Sequence, residues 1–72
     1  MSEEVIGALE KKRWEVKELL KRAKKDKSGD VVSELISASN EYYSMVVDAY
    51  RNNPDDPIIR DHFRKMLSLI HI

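Results

Sequence analysis

The sequence predicts an all-α fold, in which two long helices form an antiparallel hairpin and a shorter third helix packs against it. This is a three-helix bundle whose core oligomerisation could complete. Apolar residues recur at spacings of three and four, and no stretch alternates with the period of a β-strand. Only two Gly and two Pro interrupt the chain. With 72 residues and no cysteine, it has room for one small core and no disulfide. We therefore expect one domain over residues 1–72.

Helix 1 is predicted over residues 2–27. At 100° per residue its apolar side chains fall on one stripe, so this helix buries one face. The stripe contains Val5, Leu9, Val16, Leu19, Leu20 and Ala23, with Ile6 at its edge. After it, Gly29 suits a left-handed helix cap and Asp30 suits the N-cap of the next helix.

Helix 2 is predicted over residues 31–52 and carries two apolar stripes instead of one. The first contains Val31, Leu35, Ala38, Tyr42, Met45 and Ala49. The second contains Val32, Ile36, Tyr43, Val47 and Tyr50, with Val46 between the two. Together they cover roughly 200° of the helix, about twice the usual apolar width. Such a helix lies between two neighbours, which makes helix 2 the central one.

Helix 3 is predicted over residues 57–71. Pro54 stops helix 2, Asp56 is the N-cap, and Pro57 occupies the first helical position. At about 1.5 Å per residue, helix 3 is roughly 24 Å long, against roughly 33–39 Å for the other two. It therefore ends before it reaches the start of helix 2. Val32 and Ile36 are then left uncovered, either in a loose monomer or in an interface with a second copy.

Trp14 is the most distinctive residue of helix 1. It lies about 150° from the centre of the apolar stripe, among Glu10, Lys17, Glu18 and Lys21. One interpretation is a tryptophan lying flat over Lys and Glu stems with a cation–π contact. The other is an anchor for a protein partner, because Trp is enriched at binding hot spots.

Charge is balanced overall and segregated locally. The chain has thirteen basic and thirteen acidic residues, but residues 11–27 hold nine Lys or Arg against three acids. A basic stripe runs along helix 1, formed by Arg13, Lys17, Lys21, Lys24 and Lys25. It is a candidate phosphate-binding stripe for nucleic acid, with a solvated face near a helix C-terminus as the alternative. Zero net charge disfavours long-range attraction to nucleic acid.

No arrangement of residues indicates catalysis, a metal or a cofactor. The acids Glu34, Glu41 and Asp48 recur every seven residues on helix 2, which separates neighbours by roughly 10 Å. His62 and His71 do not share a ligand spacing, and His62 is predicted at the boundary of the apolar face of helix 3. We expect no enzyme, no metal ion and no cofactor.

The function predicted from these surfaces is non-catalytic protein–protein interaction, as an adaptor, regulator or assembly subunit. The partner is the chain itself, as a dimer or larger, or another protein. The residues predicted to bind it are Trp14, Val32, Ile36, Tyr43, Leu69 and Ile72. A nucleic-acid accessory role through the basic stripe is the alternative. The sequence shows no signal peptide or membrane-spanning run, so a cytoplasmic location is expected.

Overall fold

The structure, a computed structural model, describes residues 2–70, with the side chains of residues 3–68. Within this range the chain forms three helices and no strand: α1 (Ser2–Lys25), α2 (Gly29–Asn52) and α3 (Pro57–Ile70). The predicted all-α hairpin with a shorter third helix is confirmed. The molecule is flat, with extents of 39 × 23 × 15 Å.

The first helix junction differs from the prediction. α1 ends at Lys25 and α2 already begins at Gly29, so Gly29 is helical and does not have a positive φ. The N-cap is Ser28, not Asp30: Ser28 has an extended backbone, and its Oγ accepts a hydrogen bond from the Val31 N–H at 3.4 Å. The Ser28 N–H in turn donates to Asp26 Oδ1 at 3.1 Å. The Asp26 carboxylate fixes this turn, and no left-handed glycine is needed.

The second junction follows the prediction. The Asn53 N–H donates to the Ala49 carbonyl at 2.9 Å and closes the last turn of α2 before Pro54. Asp56 Oδ1 then accepts from the Ile58 and Ile59 N–H groups at 2.9 and 3.4 Å. These are the unpaired donors of a helix start, so Asp56 is the N-cap of α3.

The core lies along the middle of α2, where α1 and α3 both reach it. Its buried members are Leu9, Val16 and Leu19 of α1, Ala38, Tyr42, Val46 and Ala49 of α2, and Ile59 and Met66 of α3. Val5, predicted in the α1 stripe, is instead 36% exposed near the start of the helix.

The three helices do not contact one another equally. α1 and α2 pack along their length, α3 packs mainly on α2, and α1 contacts α3 least. The rings of Tyr50 and Phe63 stack with centroids 4.6 Å apart, which fixes the first half of α3 against the end of α2. The weak contact between α1 and α3 leaves a cleft between them.

In the described residues, no helix combines the length and apolar character that crossing a membrane requires.

Candidate functional site

The clearest exposed apolar surface lies on the side of α2 that faces away from α1. We call it the apolar flank and define it as Val32, Ile36 and Tyr43 of α2 with Leu67 of α3. These side chains are 39%, 57%, 47% and 42% exposed, respectively. On α2 they belong to the predicted second stripe, and the shortness of α3 leaves that part of the stripe exposed.

Leu67 is a member of the apolar flank that the sequence did not indicate. Its position on α3 is close to those of Met66, which is in the core, and Phe63, which packs against the core. It lies one turn beyond the Tyr50–Phe63 stack and is 42% exposed, whereas the preceding residue, Met66, is buried. The predicted contact residues Leu69 and Ile72 cannot be compared, because the Leu69 side chain and all of Ile72 lie outside the described residues.

Trp14 lies on a different side of the molecule. It is 65% exposed, as its angle on α1 predicts, and it lines an open groove between α1 and α2. The groove has a volume of about 490 Å³ and a floor of Leu19 and Ala38. Its charged walls contain Glu15, Glu18, Arg22, Glu34 and Glu41. Trp14 therefore stands beside an acidic groove as well as beside the basic stripe.

One lysine neutralises part of this groove and joins the two long helices. Lys12 Nζ lies 2.7 Å from Glu41 Oε2 and 3.0 Å from Glu15 Oε2. The hydrogen bond to Glu41 is the main cause of the raised pKa of Lys12, followed by the hydrogen bond to Glu15. Glu41, one of the three acids that recur every seven residues on helix 2, is thus an ion-pair partner across the α1–α2 contact.

A second depression, the α1–α3 cleft, lies where α1 and α3 diverge. Its volume is about 250 Å³, and apolar groups of Val16, Leu20 and Tyr42 form its floor. Its rim holds three cations from two helices and one hydroxyl, with no acid: Arg13, Lys17, Lys65 and Ser68. The structure thus adds Lys65 to two members of the predicted basic stripe.

The remaining members of the basic stripe lie elsewhere. Lys21 contacts Glu18 at 3.5 Å, and both side chains are largely solvated, so this pair contributes little. Lys24 and Lys25 are exposed in the last turn of α1. The stripe is therefore divided between the α1–α3 cleft and a solvated helix end, where basic residues favour the helix dipole.

His62 is a core residue, and its predicted position at the boundary is wrong. It is 2% exposed, and its Nδ1 lies 2.6 Å from Tyr42 Oη. Burial lowers the pKa of His62, and the nearby positive charge of Arg13 lowers it further. Burial also raises the pKa of Tyr42. Both side chains are therefore neutral at pH 7, and each is the hydrogen-bond partner of the other in the core.

The described residues bring no three His, Cys, Asp or Glu side chains together in a way that could hold a metal ion. Comparison with known proteins gives no family model, curated protein or solved structure that matches the chain.

Proposed function

We propose that this chain is a non-catalytic protein–protein interaction module that self-associates through the apolar flank. The observation that carries the proposal is the exposure of Val32, Ile36, Tyr43 and Leu67 on one side of a 72-residue domain. Contiguous apolar surface of this kind usually marks an interface, because leaving it in water costs free energy that association recovers.

A second copy of the chain is the simplest partner, because two apolar flanks related by a twofold axis cover each other. Burying the exposed half of each of the four side chains contributes on the order of 1 kcal/mol apiece. Two chains gain twice that sum, about 8 kcal/mol, from which an association cost of at least about 4 kcal/mol is subtracted. A dimer of micromolar strength therefore requires that surface next to the apolar flank is buried as well, and nanomolar strength is not expected.

Trp14 does not belong to this dimer interface. It lines the open groove between α1 and α2, whereas the apolar flank lies on the side of α2 that faces away from α1. One twofold interface cannot use both surfaces. In this proposal the apolar flank serves self-association, and Trp14 remains accessible in the dimer as a contact for another protein, with adaptor or assembly roles following from the two separate faces.

Sedimentation equilibrium tests the proposal at tens of micromolar protein. The wild-type chain should have a mass above the 8.4 kDa of the monomer. Ile36→Asp should be monomeric, because it buries a charge in the apolar flank. Ile58→Asp is the matched control: Ile58 is 46% exposed, against 57% for Ile36, and lies outside the apolar flank. It should remain a dimer.

Circular dichroism of both variants separates loss of association from loss of folding. A wild-type chain that sediments as a monomer even at millimolar concentration contradicts the proposal. So does a dimer that survives Ile36→Asp and dissociates with Ile58→Asp.

A further inference from the structure

The α1–α3 cleft differs in character from the apolar flank and from the Trp14 groove. Its floor is formed by the partly exposed Leu20, with Val16 and Tyr42 almost fully buried beneath it, and every charged group on its rim is a cation. An apolar floor inside a positively charged rim is complementary to an apolar group that carries negative charge beside it.

The cations are arranged so that they can act together. Arg13 and Lys17 are four residues apart and therefore neighbours on one face of α1, while Lys65 faces them from α3. Arg13 is half-buried and forms no ion pair with any residue that the structure describes. Lys65 pairs with Asp61 at 3.1 Å, but both side chains are about half exposed. Such a pair is weak, so Lys65 can readily leave Asp61 and bind a carboxylate of a partner.

The size of the cleft indicates which kind of ligand it fits. At about 250 Å³ it is smaller than the roughly 300–1,000 Å³ of sites that enclose small molecules. It has room for one large apolar side chain whose backbone remains outside. Carboxylates next to that side chain in the partner's sequence would then lie at the rim, within reach of Arg13, Lys17 and Lys65.

We propose that the α1–α3 cleft binds an acidic segment of a partner protein, which inserts one large apolar side chain between α1 and α3 and places flanking carboxylates on Arg13, Lys17 and Lys65. This surface is separate from the apolar flank, so the two proposals stand or fall independently.

A protein segment fits this cleft better than a nucleic acid does. A nucleotide base would need an exposed aromatic face on which to stack, but Tyr42 is only 1% exposed. The exposed aromatic ring of α1, Trp14, lies outside the cleft. Phosphates alone would gain nothing from the apolar floor.

The test is a titration of the ¹⁵N-labelled 72-residue chain followed by NMR. The probe is the peptide acetyl-Asp-Glu-Phe-Glu-Asp-amide, and the reference is acetyl-Asn-Gln-Phe-Gln-Asn-amide, which keeps the ring and removes the charges. The acidic peptide should shift the amide signals of Val16, Leu20, Tyr42 and Lys65, and it should bind at least about tenfold more tightly than its neutral reference.

Two pairs of substitutions locate the site. Arg13→Gln with Lys17→Gln should weaken the acidic peptide about tenfold or more, through loss of two charge-assisted contacts. Lys11→Gln with Lys25→Gln removes the same charge from α1 outside the cleft and should leave binding within about twofold. Ser68→Tyr keeps every charge and fills the cleft, so it should also weaken binding.

Several results would overturn the inference. One is equal binding of the charged and neutral peptides, and another is equal loss in the two double variants. A third is a set of shifts that maps to the apolar flank or is absent at millimolar peptide. A further such result is tighter binding of an oligothymidylate of equal charge than of the peptide at the same salt concentration. The ligand of the cleft would then be a nucleic acid and not an acidic protein segment. Sedimentation of the Arg13→Gln, Lys17→Gln variant should remain that of wild type throughout.

Discussion

The Tyr42–His62 pair shows how one polar contact can sit inside a very small core. Both side chains are almost fully buried, and the 2.6 Å hydrogen bond satisfies two groups that water cannot reach. The two rings also meet edge to face, with centroids 5.9 Å apart. A buried polar group without a partner would be costly, so the pair helps to fix the position of α3 on α2 together with the apolar contacts.

The pair predicts a dependence of stability on pH. Because the folded-state pKa of His62 is lowered from its ordinary 6.5, the unfolded chain binds more protons than the folded chain just below pH 6.5. The free energy of unfolding should therefore fall as pH decreases below about 6.5, and the fall should end below the folded-state pKa. Urea denaturation between pH 7.5 and pH 5 measures it.

His62→Gln removes the titrating group and should flatten that profile, at some cost in stability at pH 7. His71→Gln, which changes the other histidine of the chain, should leave the slope in place. An unchanged slope in His62→Gln would assign the pH dependence to other groups.

The burial of His62 could not have been predicted from the sequence alone. Its angle on α3 places it beside the apolar face, and only the position of the Tyr42 hydroxyl on the neighbouring helix decides that it is enclosed. Trp14 is the opposite case. Its angle on α1 alone excludes it from the core, and it is 65% exposed. The exposure of Trp14 follows from its angle on one helix and can be predicted. The burial of His62 depends on how two helices pack and cannot.

At the scale of the helices, the two junctions differ in how strongly the sequence specifies them. Ser28 and Asp30 are both good N-cap residues, and the choice between them depends on the Asp26 side chain, which binds the Ser28 N–H. At the second junction Pro57 restricts the backbone and Asp56 immediately precedes it, so no competing cap exists. The start of α3 was therefore predicted correctly, whereas α2 begins two residues earlier than expected.

Asp56 should contribute measurably to stability. Asp56→Ala removes the acceptor of the Ile58 and Ile59 N–H groups and should lower the free energy of unfolding by about 0.5–2 kcal/mol. Asp55→Ala is the control, since it removes the same charge one residue earlier and leaves both hydrogen bonds to Asp56 in place. It should change stability by under about 0.5 kcal/mol. Equal losses in denaturant melts would show that charge, and not the cap, is what matters.

At the scale of the whole molecule, the lengths of the helices decide which surfaces are available. Two 24-residue helices and one of 14 residues cannot form an evenly closed bundle. The mismatch exposes the part of the apolar flank that belongs to α2, and the sequence predicts this part because the prediction needs only the helix lengths. The α1–α3 cleft was not predictable, because it requires the lateral distance between two helices that are not consecutive. Lys65 joins Arg13 and Lys17 only through that geometry.

The dimer proposed here should make the thermal stability of the protein depend on its concentration. A small domain has little stability to spare, and covering the apolar flank adds free energy only when a second copy binds. Between about 2 and 200 μM, across an expected micromolar dissociation constant, dimerisation should add on the order of 1 kcal/mol per chain. For a domain of this size that amount raises Tm by about 4–8 °C. Differential scanning calorimetry at the high concentration and circular dichroism at the low one measure the shift.

Ile36→Asp should melt at one temperature regardless of concentration, while Ile58→Asp should keep the wild-type dependence. A wild-type Tm that is equal at both concentrations would mean that the folded monomer gains nothing from a second copy, and the apolar flank would then have to serve a different protein.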